Sequence, residues 1–160
     1  MTNVAAPSGT ASSSYTYDNF SNLITASAGG RTLTNSWDAR GRLLSQARPN
    51  GTVSYQHDAA GRRTRMTWPD GFYVTYDYNA ASQLTHIREN GASSGVGVLA
   101  TFAYDDLGRR TALTRGNGTY TSYRFDTAGR LDELVQDVAG TSNDITDAFA
   151  HNPAGQITAR

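Results

Sequence analysis

Tyr123-Arg124-Phe125-Asp126-Thr127-Ala128-Gly129-Arg130-Leu131 is the stretch that decides how this chain folds. Its two aromatic rings stand two residues apart, which places both on one face of a strand. Asp126 and Gly129 then take the first and fourth positions of a type I turn, where a carboxylate accepts turn N–H groups and glycine supplies a positive φ. Arg130 opens the return strand. The stretch therefore predicts a β-hairpin closed by a glycine bulge.

The same pattern (aromatic, Asp or Asn, two free positions, Gly or Ser, then Arg, Gln or Asn) occurs seven times. Its anchors are Asp18, Asp38, Asp58, Asn79, Asp105, Asp126 and Asn152, at intervals of 20, 20, 21, 26, 21 and 26 residues. A period of that size means one supersecondary unit per repeat, stacked on its neighbours. Paired aromatics precede most anchors, as in Tyr15/Tyr17, Tyr55/His57, Tyr76/Tyr78, Phe102/Tyr104, Tyr123/Phe125 and Phe149/His151; the second repeat has Asn35/Trp37 instead. About a dozen residues past the anchors comes a second turn signal, at Gly29-Gly30, Pro49-Asn50-Gly51, Pro69-Asp70-Gly71, Asn90-Gly91, Gly116-Asn117-Gly118 and Ala139-Gly140. Each repeat is a two-stranded meander unit, and the chain is expected to be all-β, an array of antiparallel hairpins forming a continuous twisted or spiralling sheet.

In a three-residue bulged loop, the anchor and the residue four positions on face each other. These two positions change together. Asp38/Arg42, Asp58/Arg62, Asp105/Arg109 and Asp126/Arg130 are charged pairs, Asn79/Gln83 and Asn152/Gln156 are amide pairs, and Asp18/Asn22 is mixed. Direct contact between the two side chains accounts for this. The expected structural anchors are accordingly these pairs with the preceding aromatics Tyr17, Trp37, Tyr78, Tyr104 and Phe125 and the turn glycines Gly41, Gly61, Gly108, Gly129 and Gly155.

The stretches Tyr15-Thr16-Tyr17-Asp18, Trp37 to Leu43, Tyr104 to Arg109 and Phe125 to Leu131 resemble the YD repeats of RHS proteins. The resemblance runs from residue 15 to residue 160, leaving residues 1–14 as a flexible leader or linker and the seventh repeat incomplete. It implies a long β-sheet that spirals into a hollow shell, as in bacterial toxin complexes, polymorphic toxins and the teneurins. In the toxin members the shell encloses a C-terminal toxic domain that is released by self-cleavage. This chain shows no Asp-Pro core motif after the repeats and no non-repeat domain, so those two activities map to none of its residues. The resemblance also implies an extracellular, secreted or cell-surface setting.

Composition agrees with a β-structure held by side-chain ladders. Hydrophobic residues make up 38% of the chain and aliphatics are thinly spread, so nine Tyr, five Phe and two Trp must carry much of the burial. Leu131, Leu134, Val135 and Val138 have a helix-like spacing but fall where other repeats place their second strand, and are read as a longer, irregular β connection. Formal net charge is zero, which gives no electrostatic case for nucleic acid. All 14 basic residues are arginine; the clusters Arg62-Arg63-Thr64-Arg65 and Arg109-Arg110 read as solvated strand faces. With no cysteine, disulfides and thiolate metal sites are excluded.

No catalytic, metal or cofactor site is expected. His57 and His151 stand at the aromatic position of their repeats and read as packing residues, and His86 stands alone on a strand. Serines lack a nucleophile elbow, and one Asp per twenty or so residues is too sparse for a Ca²⁺ β-roll. The two long intervals, through Gly91–Gly97 and Gly140–Asp144, map to loops at one sheet edge. The last unit stops at Arg160, halfway through a repeat. Two readings follow: a wall segment of a longer shell whose partners are further repeats and an enclosed C-terminal effector domain, or an adhesive or glycan-binding module that pairs with identical neighbours through open strand edges. Buried rings favour the first and a solvent-facing aromatic row the second.

Overall fold

The computed structural model describes the backbone of Thr2–Val4 and residues 12–160. It divides into two compact units, Met1–Val74 and Thr75–Arg160. The strand β8 (Tyr73–Tyr78) carries the chain from one to the other.

In the first unit, β1 (Thr2–Val4), β2 (Ser13–Tyr17), β3 (Leu23–Ala28), β4 (Arg31–Trp37), β5 (Leu43–Arg48), β6 (Gly51–His57) and β7 (Arg63–Thr67) form an antiparallel meander, each strand pairing with the next in sequence. The expected leader over residues 1–14 is partly strand: Thr2–Val4 pair with Ser13–Tyr15, and β2 begins at Ser13. The rest of that leader lies outside the described residues.

Alternation puts two different chemistries on the two faces of this meander. One face carries the aromatics. The other carries rows of hydroxyls that run across the strands, Ser14–Ser27–Thr32, Thr16–Thr25–Thr34 and Ser36–Ser45–Ser54–Thr67. Neighbours within the rows touch, with Oγ1 of Thr16 and Thr25 2.6 Å apart and Oγ of Ser36 and Ser45 2.6 Å apart. Such cross-strand pairs are the unit of sheet stability.

In the second unit, β9 (Leu84–Glu89), β10 (Val98–Tyr104), β11 (Arg110–Arg115), β12 (Tyr120–Phe125), β13 (Leu131–Asp137) and β14 (Ile145–Ala148) again pair in sequence order. A single 3-10 turn, Gly95–Gly97, precedes β10. The last repeat forms its own two-stranded ladder from β15 (Ala150–His151) and β16 (Ile157–Ala159). The expected irregular β connection through Leu131 and Val138 is the strand β13, which pairs with β12 across a register shift at its Leu131 end and with β14 on the other side, while Val138 lies just past it.

Neither unit has a centre filled by large side chains. Among the described residues only Val74, Asn35 and Thr121 are buried, and no large side chain is fully enclosed. Each unit is held by its ladders.

Candidate functional site

The seven anchor turns share one geometry. In each, the anchor N–H donates to the carbonyl four residues on and the N–H of the third following residue donates back to the anchor carbonyl, all at 2.9–3.1 Å. The residue at the fourth turn position has a positive φ, from Ser82 at 63° to Gly61 at 88°, which removes the penalty a Cβ would bring where glycine is present. Each turn is thus a three-residue loop with a bulge, and the ladders shift register beside it, as between Thr16 and Tyr17 or Arg124 and Phe125.

Side chains clasp the turn from inside. The Oδ1 of Asp38 accepts the Arg42 N–H at 3.0 Å and the Arg40 N–H at 2.8 Å, while Oδ2 accepts Arg42 Nε at 2.6 Å. Arg62 on Asp58, Arg109 on Asp105 and Arg130 on Asp126 repeat the ion pair at 2.7 Å. In the amide turns Asn79 Nδ2 donates to Gln83 Oε1 at 2.6 Å and Asn152 Nδ2 to Gln156 Oε1 at 2.8 Å, and in the mixed one Asn22 Nδ2 donates to Asp18 Oδ2 at 2.9 Å. Charged pairs, amide pairs and the mixed pair Asp18/Asn22 therefore satisfy the same backbone geometry, with the charge-assisted bonds of the Asp/Arg pairs the stronger ones.

The carboxyls register this environment. Hydrogen bonding from the Arg42 backbone, then from its side chain, brings Asp38 down to about 2, against the opposing effect of partial burial. Asp126 is lowered for the same leading reason, with Arg130 as partner. For Asp58 and Asp105 partial burial is the largest influence and pushes upward, but the combined bonds and charge of Arg62 and Arg109 outweigh it and both stay low. Asp18, bonded by the Asn22 amide, is lowered too.

The clasp also reaches beyond its own repeat. Arg42 Nη1 donates to the Asp58 carbonyl at 2.7 Å, Arg40 Nη1 to the Ala59 carbonyl at 2.9 Å, Gln83 Nε2 to the Gly108 carbonyl at 3.1 Å and Arg130 Nη1 to the Asn152 carbonyl at 2.9 Å. The aromatics before the anchors bond in the reverse direction: Trp37 Nε1 donates to the Leu23 carbonyl and Tyr104 Oη to the Leu84 carbonyl, both at 2.9 Å. Phe125 has no donor, and Arg109 stacks on its ring at 4.4 Å instead. His57 stands at the same position with its Nδ1 buried and unpartnered.

The rings differ in exposure between repeats. Tyr17 and Tyr15 are 52% and 39% exposed, while Trp37, Tyr76, Tyr78, Tyr123 and Phe125 are half-buried. The arginine clusters lie against aromatics: Arg63 over Tyr55 at 4.8 Å, Arg65 over Tyr73 at 3.6 Å and Arg110 over Tyr123 at 4.9 Å. His86, expected to stand alone, has its Nδ1 3.8 Å from Asp77 Oδ2, the carboxylate that also accepts Arg88 Nε at 2.6 Å. The sequence reading missed this ion pair because its members lie outside the anchor pattern; their places on strands joined by one hairpin were the available signal. Among the described residues no three His, Asp or Glu side chains converge as a metal-holding group, and no helix is long and apolar enough to cross a membrane.

A family described as RHS Repeat matches residues 37–73 and 104–142, the stretches that carry the Asp38 and Asp58 clasps and the Asp105 and Asp126 clasps. The chain carries RHS repeats. Their fold has solved counterparts. The crystal structure of TcdB2-TccC3-TEV is similar with a TM-score of 0.70 at 16% identity over 92% of this chain, and that of TcdB2-TccC3 without its hypervariable C-terminal region with a TM-score of 0.59 at 14% identity over 91%. This chain spans only 9% and 10% of those two chains. No curated protein matches it. In these RHS repeats the repeated side chains are turn clasps and inter-repeat bridges.

Proposed function

We propose that these RHS repeats form part of the wall of a β-shell that encloses or displays a toxin or effector domain lying outside residues 1–160, in a secreted or cell-surface protein. The observation that carries this reading is the bridge from three of the clasps to the next turn's main chain, from Arg42 to Asp58, from Gln83 to Gly108 and from Arg130 to Asn152. Bridges of this kind lock successive hairpins in register, which is what a barrier needs: a hydrogen-bonded sheet without gaps excludes water and proteases from what lies behind it. The likeness to long TcdB2-TccC3 chains supports the same reading at the level of fold. The role is structural, and no reaction is assigned to any residue of this chain.

The half-buried state of Trp37, Tyr76, Tyr78, Tyr123 and Phe125 also supports a wall over an aromatic binding platform, since arginines already lie over the faces of Tyr123 and Phe125 and only Tyr15 and Tyr17 of the paired rings are exposed. The test is electron microscopy of the native polypeptide that contains these repeats, with peptide mapping past Arg160. A hollow particle with a protease-resistant non-repeat domain inside is expected. A native chain that ends at Arg160, or an open sheet with no enclosed domain, overturns the proposal.

A further inference from the structure

The hairpin tips of the first unit, at the edge away from the clasps, are not equivalent. β3 and β4 stay paired out to Ala28↔Arg31, and β5 and β6 out to Arg48↔Gly51, but the ladder between β4 and β5 ends at Thr34↔Ala47. The tips Gly29-Gly30 and Pro49-Asn50 part beyond that point. A bay of about 490 Å³ opens between them, with Ala26, Ala28 and Leu33 as its floor and Arg31, Arg48 and Asn50 at its rim. On the far side of the second tip the packing is tight: Pro69 Cβ lies 2.4 Å from where a Cβ on Gly51 would stand.

The bay is electrostatically one-sided. No carboxylate lines it. The first unit has seven Arg against four Asp and no Glu. Asp18, Asp38 and Asp58 are held in the clasps, and Asp70 is turned onto its own loop by the Phe72 N–H at 3.0 Å. Among the described residues Arg31 has no ion-pair or hydrogen-bond partner for its side chain, and the partner of Arg48 is the neutral Gln46 Oε1 at 2.8 Å. Two guanidinium forks without a counter-charge suit a carboxylate, which they bind in matched planar geometry. The floor is small and apolar, and the volume falls within the range of small-ligand sites. Past Thr34 and Ala47, β4 and β5 also present backbone edges to each other across the bay, the arrangement that accepts an extended chain.

We propose that this bay binds the free carboxylate end of an extended peptide, with the terminal carboxylate on Arg31 and Arg48 and a small apolar last side chain over Ala26, Ala28 and Leu33. This does not depend on the wall reading. An acidic side chain within a peptide would bring the same carboxylate chemistry, so the test separates the two sources. The folded protein is titrated at low salt with the acetylated tripeptide Gly-Ala-Val as free acid, with its amide, and with an amidated peptide carrying an internal Asp, following backbone amide resonances. The free acid is expected to bind saturably with a dissociation constant of roughly millimolar, moving the Ala26, Ala28 and Leu33 signals. The amide and the internal-Asp peptide are each expected to bind at least about tenfold more weakly. Arg31→Gln and Arg48→Gln are each expected to cost about tenfold in affinity without lowering thermal stability, since both side chains lie at the rim. Absence of saturation, equal binding of the amide or the internal-Asp peptide, or full affinity in both arginine variants overturns the proposal.

Discussion

Arg42 belongs to one turn and holds the next: its Nε lies 2.6 Å from Asp38 Oδ2 while its Nη1 lies 2.7 Å from the Asp58 carbonyl. One side chain thereby closes a hairpin and couples it to its neighbour. The pair Asp38/Arg42 acts as a unit, which a double-mutant cycle measures directly. Asp38→Asn alone is expected to lower the urea midpoint, because Arg42 keeps its charge and loses its acceptor. Adding Arg42→Gln is expected to recover part of that loss, since Asn79/Gln83 closes the same turn with amides. Additive losses in the double variant would show that the two side chains do not act through each other.

Acid sensitivity follows from the same carboxylates. Asp38 is held at about 2 and Asp18, Asp58, Asp105, Asp126 and Asp147 are all lowered from 3.8. A lowered folded-state value means that the unfolded chain takes up protons first as pH falls. The contribution of these groups is therefore complete above about pH 4 and is lost as pH drops toward about 2. Urea midpoints measured from neutral pH downward are expected to hold until about pH 4 and then fall. The Asp38→Asn, Arg42→Gln double variant should fall less steeply, and an unchanged slope would remove Asp38 from the explanation.

Gly51 and Gly61 separate conformational cost from crowding. Both have a positive φ, 124° and 88°, but a Cβ on Gly61 meets nothing within 4 Å while one on Gly51 stands 2.4 Å from Pro69 Cβ. Gly61→Ala is expected to cost about 1–2 kcal/mol from backbone strain alone. Gly51→Ala should cost more, by about 1–3 kcal/mol of displaced packing. Denaturant unfolding of the two variants gives the order, and equal losses would mean that Pro69 moves aside freely.

The two ring positions Trp37 and His57 should respond in opposite directions to phenylalanine. Trp37→Phe removes the donor to the Leu23 carbonyl and is expected to cost about 1 kcal/mol. His57→Phe removes a buried nitrogen that has no partner, and is expected to be neutral or to stabilise by up to about 1 kcal/mol. A clear loss in His57→Phe would assign Nδ1 a partner in solution.

The fold was legible in the sequence because its signals are local. Asp126, Gly129 and Arg130 fit within one turn, and paired aromatics such as Phe102/Tyr104 report strand faces without reference to anything distant. The contact of the anchor with the residue four positions on could be read from how Asp/Arg alternates with Asn/Gln. What stayed hidden depends on geometry between repeats. Nothing in the string shows that Arg42 carries a second hydrogen bond to the Asp58 carbonyl, because a carbonyl has no residue identity to vary. The turn at Trp68-Pro69-Asp70-Gly71 was visible as a turn, but its bulged form, with Trp68 N–H on the Phe72 carbonyl at 2.8 Å, was not. The Arg31–Arg48 bay depends on where a ladder stops, which no residue pattern announces. Leu131 to Val138 has helix-like spacing, and its place in the repeat was the better guide to the strand it forms.

The bridges out of the clasps end on main-chain oxygens: Asp58, Ala59, Gly108 and Asn152 are all reached at the carbonyl. Every residue has that atom, so these bridges form without regard to which side chain the neighbour carries there. Copies can be duplicated, deleted or shuffled along such a chain and each new junction still closes, provided the turn keeps its shape. Length is then a freely variable property of the array, and sequence drift outside the turns carries little penalty for assembly.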